Sequence, residues 1–325
     1  MSWTAVAAML GAAGQGDPPA AAGVGAWLDV IIGAVGLSIA ALFALRWLVY
    51  VRRDPLAAAP PRPNRLGHEA VFIGAGSYIL AASLFAMMFP VPGGAPGTTV
   101  VPPVVESPIV EAPTGVEVPA DQPAEMSPEE LVRTSLLDSL AKVVGTAVCF
   151  WLAIRAFDGG LAAFLFGRSG GPRAAAWGVA MGIAALPLCY LAHAATLLIF
   201  QAIRPDYEPD PHTTIQLLLT PGQSPWAVAA LYLGAGFIAP LGEEVFFRGF
   251  LQTSLGNALR SRWIAILLAS ACFAAVHAQL HALPALFLLS VLMGFVYERT
   301  GSLLAPFLVH AIFNGKTLLW SMLWP

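Results

Sequence analysis

The chain has 325 residues, of which 58% are hydrophobic and only 11% charged, and its mean hydropathy is +0.73. An ordinary soluble domain carries about 25% charged residues, so too few charges remain here to cover a globular surface in water. A net charge of -3 with no long basic run excludes a nucleic-acid binder. Three cysteines and no three-residue glycine period exclude disulfide-scaffold and collagen-like chains. What remains is an all-α polytopic membrane protein.

A spanning helix needs about 20 apolar residues. Eight stretches are candidates, at 26–50, 69–90, 134–156, 175–202, 225–242, 263–281, 283–297 and 302–324, of which the seventh is short. Residues 1–25 lack a positive start and read as a short mobile tail. Residues 26–90 hold the first two helices. Residues 91–130 carry seven acidic residues and no Lys or Arg, and ten prolines fall between 90 and 128. Such a segment cannot bury a core and is expected to be disordered or extended. It ends in a helix-start signal, with Ser127 as N-cap, Pro128 at N1 and Glu130 as the capping-box partner. Residues 131–224 supply two more helices and an outer loop, and residues 225–325 form the last unit. Cys149, Cys189 and Cys272 each sit in an apolar stretch and read as small buried side chains.

Arginine placement orients the bundle. Arg52, Arg53, Arg62 and Arg65 follow the first helix, and Arg155, Arg168 and Arg173 follow the third. Arg260 and Arg262 follow the fifth, and Arg299 the seventh. These loops share one side if eight helices alternate, and the positive-inside rule makes that side cytoplasmic. Arg outnumbers Lys fourteen to two, and Ala, Gly and Pro abound, a composition that reads as bacterial. The expected location is the bacterial cytoplasmic membrane, with both termini outside.

Ionisable groups inside spans cost about 2.5–3.5 kcal/mol each on insertion scales, so the few present mark the place to look. They concentrate in the last hundred residues. PLGEEVFFRGFL, residues 240–251, holds Glu243 and Glu244, which project about 100° apart on a helix. Glu244 and Arg248 are i and i+4 and form a natural ion pair. That leaves Glu243 as a carboxylate free to act as a base. In FAAVHAQLH, residues 273–281, Phe273 and His277 share a helical face, and so do His277 and His281. The run lacks the glutamate of the HExxH zinc pattern. In HAIFN, residues 310–314, His310 and Asn314 offer an imidazole and a carboxamide to one point, where they could donate to an oxyanion. Lys316 receives no role. Together the motifs supply a base, an imidazole and an oxyanion-binding pair, the parts for activating water against a carbonyl. No GxSxG occurs, and Asp is scarce inside spans, so serine and aspartyl chemistry find little support.

In this order on three helices, the motifs resemble the CPBP family, the CAAX endopeptidases that process prenylated proteins and their bacterial relatives, also called the Abi family. The resemblance covers roughly residues 225–318. It implies an all-helical core with a conical polar cavity open toward the cytosol. It further implies that Glu243 activates water with help from His277, that His310 and Asn314 hold the oxyanion, and that Glu244 and Arg248 form the supporting pair. The candidate catalytic set is therefore Glu243, Glu244, His277, His310 and Asn314, with Arg248 as the ion-pair partner and Phe273 as motif packing. Family members are often called metalloproteases, which leaves zinc open as a cofactor. Water activated by glutamate alone fits the residues as well. The expected partners are membrane lipids and a membrane-associated or lipidated peptide substrate. A non-catalytic scaffold or immunity-type protein of the same fold is the main rival reading, and a transporter a weaker one.

One geometric requirement follows. With a helix ending at 242, Glu243 lies at its cytoplasmic end, whereas His277 lies about 21 Å along a helix that starts at Trp263. The two meet only if the later helix starts near Asn257 or the earlier one bends at Pro240, and both are expected.

Overall fold

Within hydrocarbon every backbone N–H and C=O must be satisfied inside the protein, and helices do this without needing a partner segment. The computed structural model describes residues 20–51, 54–57, 59, 64–88, 128–167, 170–209, 213–219 and 224–323. Among these the chain is all-helical, apart from one isolated bridge between Asn64 and Phe157. Most of the tail expectation, the acidic proline-rich segment up to residue 127 and the Ser127 cap lie outside the described residues.

The helices are α1 (Ala20–Leu45, continued by a π-helical turn Arg46–Val51), α2 (His68–Met88), α3 (Pro128–Ala156), α4 (Gly160–Phe166), α5 (Gly171–Ile203) and α6 (Thr213–Leu219). Then come α7 (Pro225–Leu259), α8 (Arg262–Val276), α9 (Leu283–Thr300) and α10 (Leu304–Leu323). Each of the eight expected stretches is helical, and α4 and α6 are short additions. Among the described residues, five helices are long and apolar enough to cross a membrane. The apolar helices Glu69–Phe85 and Arg262–Val276 are shorter, and α10 is interrupted by His310, Asn314 and Lys316.

Several expectations change. The fifth helix does not stop at 242 but runs unbroken from Pro225 to Leu259. Pro240 does not break it, because the turn just before the proline is π-helical, Gly234–Ile238, and a second π segment covers Val245–Gln252. A widened turn makes room for the proline ring that would clash in a regular α-helix. The next helix starts at Arg262, where Ser261 Oγ accepts from the Ile264 N–H, rather than near Asn257. It ends at Val276 rather than 281, because Ala278 takes a left-handed φ of 51°. Cys272 is exposed, on the outward face of α8, while Cys149 and Cys189 are buried.

Small residues let the helices approach closely. A Cβ at Gly178 of α5 would lie 2.6 Å from the Ala305 carbonyl, and one at Gly182 would lie 2.9 Å from Ile312 Cδ1, so α5 seats α10 directly. One turn beyond Ile312 on the same face of α10, Lys316 Nζ lies 3.0 Å from Asp29 Oδ1 of α1, and the aspartate is only 6% exposed. That ion pair ties the first helix to the last.

The described residues between α1 and α2, 54–57, 59 and 64–67, lie against the ends of the later helices. Arg262 Nη1 donates to the Leu56 and Ala59 carbonyls, Arg299 Nη1 to the Pro55 carbonyl, and Asn257 Nδ2 to the Leu66 carbonyl. Leu56 and Leu66 are buried there. Asp54 Oδ1 accepts from the Leu56 N–H and from the Trp263 indole. These donors, the backbone one foremost, hold the Asp54 carboxyl below its usual range.

Two outcomes are expected. Lys316→Met should lower thermal stability in detergent by about 3 kcal/mol, because it strands a buried carboxylate, and Asp29→Asn combined with Lys316→Met should restore most of that loss. The Asp54 tie is complete above the ordinary carboxyl value of about 4 and weakens as pH falls through the lowered one. Proteolytic nicking at 54–57 should therefore rise in strong acid, and Asp54→Asn should remove that pH dependence.

Candidate active site

Glu243 stands near the middle of α7, eighteen residues after Pro225 and sixteen before Leu259. The requirement left by the sequence is met without a break: His277 lies fifteen residues along α8 from Arg262, about 22 Å at 1.5 Å per residue, beside the midpoint of its longer neighbour.

Glu244 is fully buried and has both carboxylate oxygens engaged. Arg248 Nε donates to Oε2 at 2.9 Å, and His310 Nδ1 donates to Oε1 at 2.9 Å. Arg248, also fully buried, gives Nη2 to Ser290 Oγ at 2.9 Å. A charge this deep is tolerable only when paired and hydrogen-bonded. The carboxylate, the guanidinium and the imidazole meet that condition for one another.

His277 caps the end of α8. Its Nδ1 lies 2.7 Å from the Phe273 carbonyl. A carbonyl can only accept, so Nδ1 carries the proton and Nε2 keeps its lone pair. By the same logic His310 donates from Nδ1 to Glu244 and presents Nε2. Both Nε2 atoms stand 3.9 Å from the same oxygen, Glu243 Oε2. That is too long for a direct hydrogen bond and leaves room for a small molecule to touch all three. Glu243 Oε2 is buried and has no hydrogen-bond partner in the protein.

Phe273, fully buried, fills the space between these groups. Its ring centroid lies 4.6 Å from that of His277, 5.6 Å from His310 and 5.1 Å from Phe247, and Arg248 Cζ lies 5.4 Å from it. The expected face shared by His277 and His281 is not formed, because the chain turns at Ala278. His281 instead meets Tyr207 and His193.

Asn314 has a partner that spacing alone did not suggest. The Ala239 N–H donates to the Gly234 carbonyl, five residues back. The same spacing would ask Pro240 to serve the Ala235 carbonyl, and proline has no N–H. Asn314 Nδ2 supplies the donor at 2.9 Å. One amide proton of Asn314 is thus committed to the π turn just ahead of Glu243, and a second remains.

Tyr78 of α2 and Thr146 of α3 also reach the site. Tyr78 Oη donates to the Gly242 carbonyl at 3.0 Å and lies 2.9 Å from Thr146 Oγ1, which donates to the Lys142 carbonyl. Polar hydroxyls inside apolar stretches were the available signal for these two residues.

Two imidazoles and a carboxylate are a donor set that zinc accepts. Among the described residues, however, no group of three or more His, Cys, Asp or Glu is arranged to hold a metal ion.

Asn314→Leu should cost about 1–3 kcal/mol in thermal unfolding, the penalty of a buried carbonyl left without a donor. Asn314→Gln, which keeps a carboxamide, should recover part of it.

No solved structure matches the chain. An uncharacterized 24.3 kDa protein of Escherichia coli is 38% identical over 81 residues, covering 22% of this chain and 36% of the relative. The chain thus spans little more than a third of the length of that relative. Residues 225–315 match the family model of the Rce1-like type II CAAX prenyl endopeptidases. This multi-pass helical membrane protein therefore carries, in the segment holding Glu243, His277, His310 and Asn314, an Rce1-like domain, in line with the resemblance read from its motifs.

Proposed function

We propose that the protein is an intramembrane endopeptidase that hydrolyses a peptide bond near the membrane surface with a water activated by Glu243. The observation that carries this reading is the convergence of Glu243 Oε2 with the Nε2 atoms of His277 and His310, each at 3.9 Å. A water seated there would donate to the carboxylate and to an imidazole. Glu243 takes one proton as the water oxygen bonds to the scissile carbonyl carbon. The carbonyl electrons move onto oxygen. When the intermediate collapses, the C–N bond breaks and the proton held by Glu243 goes to the leaving amine.

His310 is suited to a second task. Backed at Nδ1 by the Glu244 carboxylate, it can take the second proton of the attacking water at Nε2 and pass it to the oxyanion, with the carboxylate steadying the imidazolium as it forms. The uncommitted N–H of Asn314 would add a donor. His277, fixed by the Phe273 carbonyl, orients the water. The substrate is a membrane-associated or lipidated peptide that enters from the side on which the arginine-rich loops lie, which the positive-inside rule makes the cytosol. The family match of residues 225–315 supports this assignment.

The test is cleavage of membrane-tethered and lipidated peptides by protein in lipid nanodiscs. Glu243→Gln should lower kcat by about a thousandfold or more and His277→Ala by about a hundredfold, in keeping with loss of a general base and of its partner. Undiminished cleavage by both, with the fold retained, would refute the proposal.

A further inference from the structure

Below Glu244, the face of α7 continues in polar residues at helical spacing: Arg248 and Gln252. Opposite, α9 presents Ser290, Gly294 and Glu298, also four apart. Gln252 Nε2 donates to the Gly294 carbonyl at 3.1 Å and to Glu298 Oε1 at 2.9 Å. Glu298 Oε2 lies 3.7 Å from Arg262 Nε, and Arg262, 38% exposed, is where the seam reaches the surface. Arg248, Gln252, Ser290 and Glu298 are buried. The seam spans about 12 Å from Glu244 to Gln252. It runs toward the loops that carry the arginines.

A purely structural clasp between α7 and α9 would be expected to close its hydrogen bonds, since each buried polar atom left bare costs about 1–3 kcal/mol. This one does not. Arg248 Nη1, Gln252 Oε1 and Ser270 Oγ are buried without a partner in the protein. They belong together. On α8, Ser270 lies one turn from Ile266 and one from Phe273. Ile266 lies against Gly294, where an added Cβ would come within 3.1 Å of Ile266 and 2.7 Å of Gln252 Oε1. Phe273 lies against Arg248. Ser270 therefore faces the seam between the levels of Gly294 and Arg248. A guanidinium donor, an amide acceptor and a hydroxyl that can do either are the complement of a water molecule, which binds internally through two to four such partners.

We propose that Arg248, Gln252 and Ser270 bind internal water, fed through the Gln252–Glu298–Arg262 end of the seam, and that this site supplies the water that Glu243 activates. The supply role rests on the hydrolase reading; the water site does not.

Hydroxyl-radical footprinting of the full chain in nanodiscs separates the two. Met293, next to Gly294 in the chain, and Met181 of α5 are both buried, at 0% and 5% exposure. Radicals formed from bound water should oxidise Met293 about tenfold faster than Met181, equally in wild type and in Glu243→Gln. Ser270→Val should bring Met293 down to the Met181 rate and lower kcat about tenfold at unchanged KM, the scale of one lost polar contact. Ser270→Ala, which removes only the hydroxyl, should give a smaller change in the same direction. Equal oxidation of the two methionines in wild type would overturn the water site. Loss of labelling in Ser270→Val with full kcat would overturn the supply role. Cleavage that persists in Glu243→Gln would overturn the hydrolase reading and leave the labelling comparison intact.

Discussion

The carboxylate of Glu244 is the group around which the domain is organised. Buried among apolar helices, it must be compensated on both oxygens. Its two donors come from different places: Arg248 one turn along the same helix and His310 sixty-six residues later. Fixing His310 at Nδ1 aims Nε2 at Glu243. Fixing Arg248 at Nε aims Nη2 at Ser290 of α9 and sets Cζ 5.4 Å from the Phe273 ring centroid of α8. One buried charge thereby sets the relative placement of α7, α8, α9 and α10. Removing Arg248 would leave an uncompensated ion, which costs far more than one hydrogen bond, and removing His310 would leave the second oxygen bare.

The second constraint is Pro240. A proline three residues before the base would kink or end a regular helix. Here the helix widens into a π turn, and the carbonyl that loses its donor is served by Asn314. The same asparagine therefore closes the backbone ahead of Glu243 and keeps one amide proton near the site. His310 and Asn314, one turn apart on α10, meet α7 at the Glu244 carboxylate and at the Ala235 carbonyl.

Much of this was legible in the residues. Glu244 and Arg248 announce themselves by spacing, and the order of the three polar motifs points to their meeting. The scarcity of charge in an apolar chain made that cluster conspicuous. What was not legible has a common cause. The length of α7 was hidden because Pro240-Leu-Gly242 reads as a breaker and Arg248 and Gln252 interrupt the apolar run. The His277–His281 face was misread because a left-handed alanine leaves no mark in the sequence. Tyr78, Thr146, Ser270 and Ser290 were passed over because a lone hydroxyl in an apolar helix has no periodic partner. Its meaning lies in contacts dozens to hundreds of residues away.

The carbonyl of Gly242 accepts from a phenol of α2, whose oxygen lies 2.9 Å from a hydroxyl of α3. Lys316, one residue past the family match, is neutralised by an aspartate on α1. The boundary recognised by similarity and the boundary of physical self-sufficiency are therefore different. Residues 225–315 are not an exchangeable module. Transplanted without α1 to α3, they would lose the Tyr78 hydrogen bond that reinforces the Gly242 carbonyl at the turn presenting Glu243, so any chimera of this protein with a relative has to inherit the amino-terminal helices as part of the same unit.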